Sequence, residues 1–156
     1  MTKANTNANI RKKLQRIQSS LKAPKGQTNK FGGYSYRSCE DILTALKPLL
    51  IIQECSIVIG DELVALEGRV FVRAVARLLD NDTDDAINAS GFAEHAVTKK
   101  GMDQAQVTGS ASSYARKYAL NGLFAIDDAK DADATNDHGK ASNKPTTNNK
   151  KTEELF

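Results

Sequence analysis

Apolar positions recur along this chain with two different periods, and the change of period marks its organisation. From Gln104 to Ile126 (QAQVTGSASSYARKYALNGLFAI) they return every three to four residues, which predicts a long amphipathic helix. At about 100° per residue, Val107, Ala111, Tyr114, Ala115, Tyr118, Ala119, Leu123 and Ile126 fill one broad arc that should pack. Ser110, Ser113, Arg116, Lys117 and Asn121 fill the arc that is offered outward. Ala111, Ala115 and Ala119 form a ridge of methyl groups, low enough for the helix backbone to lie close on a sheet. Leu120 and Phe124 interrupt the polar arc and call for a cover, from the chain's own continuation or from a neighbouring subunit.

Ahead of that helix the period shortens. Cys55 to Ile59, continuing through Gly60-Asp61 toward Leu66, then Val70 to Leu79, then Ala86 to Val97, read as three strands. Glu67-Gly68 and Asn81 to Asp84 are the turns between them. In the second strand Val70, Val72, Ala74, Ala76 and Leu78 make a wholly apolar face, and the opposite face reads Arg69, Phe71, Arg73, Val75, Arg77, Leu79. Its arginines are spaced roughly 13 Å apart at 3.3 Å per residue. That spacing suits either a nucleic-acid backbone or pairing with acids such as Glu94 on adjacent strands. Ala89, Gly91 and Ala93 share one face of the third strand, and their smallness matches the alanine ridge of the long helix.

Two shorter helices precede the strands. Ile10, Leu14, Ile17 and Leu21 form one narrow stripe, stopped by Ala23-Pro24-Lys25-Gly26, and a stripe so narrow must dock on the domain or on another subunit. Ser38 caps the second helix with Asp41 at the third position, a relative of the capping box, and Ile42, Leu43, Leu46, Leu49 and Leu50 supply its buried side. Pro48 should kink or break it, because its ring clashes with the Thr44 carbonyl. The fold class predicted is α+β: a β-β-β-α core, an antiparallel meander with a long helix across one face, flanked by N-terminal helices and followed by a disordered C-terminal tail. The divisions are a basic arm over 1–29, a core domain over 30–126, and an acidic then polar tail over 127–156.

Charge changes the picture because it is segregated. The formal net charge is only +3, yet no Asp or Glu precedes Glu40, whereas nine lysines and arginines do. Acids gather at Asp80 to Asp85 and at Asp127 to Asp137. Such segregation fits a polyanionic partner or head-to-tail contacts between copies. Lys30-Phe31-Gly32-Gly33-Tyr34-Ser35-Tyr36-Arg37 interleaves rings and cations, so bases can stack beside phosphate-binding groups, or Tyr34 and Tyr36 can anchor the segment to the core. Lys99-Lys100-Gly101 lies at the mouth of any groove between the last strand and the long helix.

Chemistry of other kinds finds little support. There is no G-x-x-x-x-G-K-[ST] loop, Gly109-Ser110-Ala111-Ser112-Ser113 lacks the second Gly of a nucleophile elbow, and His95 reads as a satisfied imidazole. Asp131-Ala132-Asp133 begins like a calcium loop that Thr135 and Asn136 then spoil, so no metal and no cofactor is expected. Cys39 and Cys55 have neither CxxC spacing nor nearby histidines and read as reduced thiols. No apolar run approaches the ~20 residues of a membrane span, and the polar start does not read as a signal peptide. The expectation is a cytoplasmic protein that is not an enzyme. The closing Glu153-Glu154-Leu155-Phe156 is a candidate docking peptide or simply the end of a tail.

The run SASSYARKYALNGLFAIDDAKDADA resembles the signature segment of the ERF superfamily of single-strand annealing proteins, found mostly in phages and prophages. The resemblance is contiguous over Gly109 to Asp133, with an upstream echo in Tyr34, Tyr36 and Gln104. It implies an ATP-independent protein that binds single-stranded DNA and anneals complementary strands in homologous recombination and repair, assembled as a homo-oligomeric ring or filament inside a bacterial host cell. A host or phage single-strand-binding protein is a candidate partner. Arg116 and Lys117 match the family's basic pair and are the leading phosphate contacts expected. Lys99, Lys100, Arg69, Arg73, Arg77, Arg37, Tyr34, Tyr36 and Ser113 complete the candidate DNA-binding set, and Tyr114 is either a stacking residue or part of the core. The alternatives from other classes are a duplex-DNA-binding accessory factor and a structural assembly protein.

Overall fold

A computed structural model describes residues 6–126, with side chains from Asn9 onward; the expected tail, its aspartates and the Leu155-Phe156 terminus lie outside that range. In chain order the elements are α1 (Thr6–Ser20), β1 (Gln27–Asn29), β2 (Tyr34–Tyr36), α2 (Cys39–Ile52), β3 (Cys55–Leu66), β4 (Arg69–Asp80), β5 (Ala86–Glu94) and α3 (Gln104–Phe124). The three long strands form one antiparallel sheet in the order β3-β4-β5, and β1 pairs with β2 in a separate small hairpin. This is the expected α+β arrangement, with a β-β-β-α unit and flanking helices.

Alternation decides which face of the sheet is buried. Val72, Ala74, Ala76 and Leu78 of β4 point into the core with Ala111, Ala115, Ala119, Leu120, Leu123 and Phe124 of α3. Glu67 and Gly68 both take positive φ, 49° and 76°, the pair of left-handed positions that a two-residue turn needs to follow strand twist. Gly91 faces the alanine ridge so closely that a Cβ there would fall on the Ala119 nitrogen and the Ala115 carbonyl. The helix therefore lies on the small-residue face of β5, as the matching of Ala89, Gly91 and Ala93 to the ridge predicts.

Three details depart from the sequence reading. The first helix begins one turn before Ile10, at Thr6. Helix α2 runs unbroken through Pro48 to Ile52. Thr44 and Pro48 both lie on its exposed side, where water can satisfy the carbonyl that proline leaves without a partner. Strand β5 ends at Glu94 and not at Val97. There the His95 ring meets the Thr108 hydroxyl at 2.8 Å, and the Gln104 amide donates to the Val97 carbonyl at 3.0 Å, so the chain is drawn from the sheet toward α3.

Leu120 and Phe124 are covered from within the chain, by the N-terminal helices. Ile10 and Ile17 of α1 and Ile42 and Leu46 of α2 are fully buried in the same cluster, each worth about 1.5–3 kcal/mol relative to exposure. Gln18 fastens α1 by donating to the Leu123 carbonyl at 3.0 Å. Lys13, which sequence assigns only to the basic arm, is buried on the same stripe. Its ammonium donates to Asp80 at 2.8 Å and to Asp82 at 2.7 Å, tying α1 to the turn after β4.

Candidate nucleic-acid interface

The β1-β2 hairpin, the start of α2 and the middle of α3 meet at a hollow of about 130 Å³ lined by Tyr36, Arg37, Ser38, Cys39, Ser113, Tyr114 and Lys117. Its local structure follows from two caps. Ser38 accepts from the Asp41 amide at 3.1 Å while the Asp41 carboxylate accepts from the Ser38 amide at 2.7 Å, the reciprocal capping box. Asp103 and Gln106 form a second box that starts α3, which periodicity alone did not reveal. The Ser38 amide and the Gln27 side chain hold the Asp41 carboxyl below the usual carboxylate range. Burial pushes the Cys39 thiol up, so it is a protonated wall of the hollow at neutral pH. Tyr34 and Tyr36 meet edge to face with centroids 6.3 Å apart, and Arg37 beside them is buried. At the hairpin tip, between Lys30 and the two glycines, Phe31 is fully exposed, an aromatic that sequence reasoning did not single out.

Arg116 and Lys117 part company. One residue of rotation, about 100°, turns Arg116 toward β3, where Asp61 accepts from its Nε at 3.0 Å and its Nη2 at 2.9 Å, with the Ser112 hydroxyl donating to the same carboxylate. Burial alone would push the Asp61 carboxyl up; Arg116 and Ser112 outweigh it, and it ends below the usual range. Lys117 instead stands over two rings, its ammonium 4.8 Å from the Tyr114 centroid and 5.3 Å from that of Tyr118. Among the described residues Lys99, Lys100 and Lys117 form no ion pair. Asp61 has no signal in the sequence, since its partner lies 55 residues away.

The remaining candidates divide between the two faces of the sheet. Arg69, Arg73 and Arg77 share the face that no helix covers, so they lie opposite the hollow and do not join it. Two are committed to acids: Arg69 to both oxygens of Glu94, and Arg73 to Glu62 at 2.6 Å. Arg69 holds the Glu94 carboxyl below its ordinary range. Their guanidinium carbons also lie over Phe71, at 5.2 Å, and Phe92, at 5.9 Å. Arg77 has no ion pair among the described residues. Lys99 and Lys100 sit in the exposed loop between β5 and α3, and Lys99 lines a second groove of about 390 Å³ along the edge of β5. That groove is bounded by Tyr114 and Tyr118, which the helical arc assigns to packing but which are 48% and 45% exposed. The buried sector of α3 runs from Val107 and the alanines round to Leu120 and Phe124, so it is turned toward the N-terminal helices and leaves both rings at its margin. No helix of the described residues is long and apolar enough to cross a membrane.

An α+β domain whose β-β-β-α unit sets a cationic and aromatic helix flank beside a hairpin is a protein built around its surface. The chain belongs to the ERF superfamily, whose profile matches residues 10–155. It is 53% identical over 131 residues to the essential recombination function protein of Salmonella phage P22, a match covering 84% of this chain and 62% of that relative. The chain thus spans less than two thirds of that relative's length. No solved structure gives a significant match. The membership expected from the SASSYARKYALNGLFAIDDAKDADA run is established.

Proposed function

We propose that the protein binds single-stranded DNA through its backbone and anneals complementary strands during homologous recombination, without ATP and as a homo-oligomer. The observation that carries the reading is the convergence of Tyr36, Arg37, Ser113 and Lys117 on one hollow, with the Lys117 charge uncommitted to any acid of the described residues. Family membership and the similarity to the essential recombination function protein of phage P22 support it. Annealing needs a strand held by its phosphates so that bases can be sampled without sequence preference, and cations beside rings suit that task. Copies in register would extend the strand and raise the local concentration of complement. Lys117 is the leading phosphate contact, with Arg37 in the same hollow, Lys99 and Lys100 in the exposed loop between β5 and α3, and Ser113, Tyr34 and Tyr36 completing the surface. Arg116 joins them only by exchanging Asp61 for a phosphate, and the strand arginines form a separate surface.

The test is annealing of two labelled complementary oligonucleotides without ATP, by the intact protein and by Lys117→Ala shown to be folded. Acceleration that the substitution removes supports both function and site. Acceleration that survives moves the site to the strand arginines, and none at all with tight duplex binding favours an accessory factor.

A further inference from the structure

The groove along the edge of β5 differs in chemistry from the hollow beside it. Its lining is mainly apolar and aromatic, with Phe92, Ala93, Val107, Ala111, Tyr114 and Tyr118, and Ser110 adds one hydroxyl. The rings of Tyr114 and Tyr118 stand with centroids 6.2 Å apart and both remain about half exposed. An acid and a base mark its rim. Glu94 is held on both oxygens by Arg69, and Lys99 has no ion pair among the described residues. A phosphate entering between these walls would meet apolar carbon and the Glu94 carboxylate, so the groove disfavours the backbone of a nucleic acid. A flat, uncharged group with π faces suits it.

We infer that this groove binds one unstacked nucleobase of the strand, laid against Tyr114 and Tyr118, while the adjoining phosphates reach Lys99 at one end and Lys117 above the two rings. The inference rests on the single-strand reading above and adds to it a base-binding site. The occupant follows from charge: a largely apolar slot lies between Lys99 and Lys117, and a polyanion with flat apolar side groups matches both. A base withdrawn into the groove is unavailable for pairing. It fixes the position of the strand on each protomer, and its neighbours remain outward.

The experiment compares two end-labelled oligomers of equal length and phosphate number by fluorescence anisotropy, one oligothymidylate and one built of abasic units. The intact protein should bind the thymidylate roughly tenfold more tightly, in line with base-aromatic stacking. Tyr114→Leu/Tyr118→Leu, which keeps apolar cover, should lose that preference and retain the same dependence on salt. Equal affinity of the intact protein for the two oligomers overturns the inference and needs no variant to fold. Persistence of the preference in the folded double variant also overturns it. So does a change of oligomeric state by light scattering with the preference intact, because a second copy of the chain then fills the groove. If neither oligomer binds, the single-strand reading itself fails, a result distinct from equal binding.

Discussion

Arg116 and Lys117 are neighbours in sequence and lie on two different parts of the molecule. On the flank of α3 that faces β3, Arg116 is held by Asp61, whose carboxylate also accepts from the Ser112 hydroxyl; on the outward flank, Lys117 stands over tyrosine rings with no ion pair among the described residues. The same division runs through the other cations. Lys13, Arg69 and Arg73 have carboxylate partners, whereas Lys99 and Lys100 have none among the described residues. A held cation ties elements together, and its field is largely cancelled at its partner. An unheld one projects its field into solvent, where a polyanion can be drawn to it. Sequence counts both kinds alike, so net charge says little about which surface attracts a strand.

The strongest test of this division is at its buried extreme. Lys13→Met should destabilise the fold by about 3–5 kcal/mol, because Asp80 is left buried with its charge uncompensated. Lys13→Met/Asp80→Leu should recover most of that loss. Urea unfolding followed by circular dichroism measures both; a loss under about 1 kcal/mol in the single variant would mean the pair is no lock. Its pH dependence has a definite sign. Lys13 is raised by its hydrogen bonds to Asp80 and Asp82, so its contribution is complete below the unfolded lysine value of about 10.4 and is lost as pH rises through the higher folded value. Burial pushes Asp80 up, but Lys13 and the amides of the turn outweigh it. Its contribution is therefore complete above about pH 4 and is lost as pH falls through the lower folded value. The stability plateau should span this interval, and Lys13→Met should flatten both limbs.

A smaller effect separates the neighbours on α3. Arg116→Ala should cost about 1 kcal/mol of stability, since Asp61 is partly exposed and water can replace the guanidinium. Lys117→Ala should leave the unfolding midpoint unchanged, while the log-log slope of single-strand affinity against salt becomes shallower by about 0.7. Asp61→Asn releases Arg116 without removing it, so affinity for oligothymidylate should rise severalfold at low salt. Unchanged affinity in Asp61→Asn would mark Arg116 as purely structural.

What was legible in the sequence follows the range of the interactions. Strand alternation, the Glu67-Gly68 turn, the Ser38 capping box and the fit of Gly91 to the alanine ridge depend on spacing or on residue size, and all could be read. Lys13 was half legible: it sits three residues after Ile10 and four before Ile17, on the buried stripe, yet its partners are more than sixty residues away. Tyr114 and Tyr118 share a helical arc with alanines, and only the turn of the buried sector toward the N-terminal helices decides that the rings stay at the margin. The separation of Arg116 from Lys117 depends on Asp61, whose position opposite α3 is set by the register of β3 against β4. Periodicity placed the candidates on their faces and could not say which were already taken.

The smallest effects belong to the open face of the sheet, where Arg69 and Arg73 pair with Glu94 and Glu62 and all four side chains remain about half exposed to solvent. Surface pairs of this kind gain little over hydration, so Arg73→Ala should leave the thermal midpoint within error of the intact protein. Its effect on single-strand affinity should likewise be slight. A phosphate would have to displace Glu62 and also leave the Ser90 hydroxyl, which accepts from the Arg73 guanidinium at 3.1 Å. Arg77 on the same strand has no acid to surrender among the described residues, so Arg77→Ala is the internal control. If Arg73→Ala weakens binding as much as Lys117→Ala does, the division between held and unheld cations fails and the strand runs along the open sheet. If only Arg77→Ala does so, the division stands and the interface wraps around the sheet to its far face.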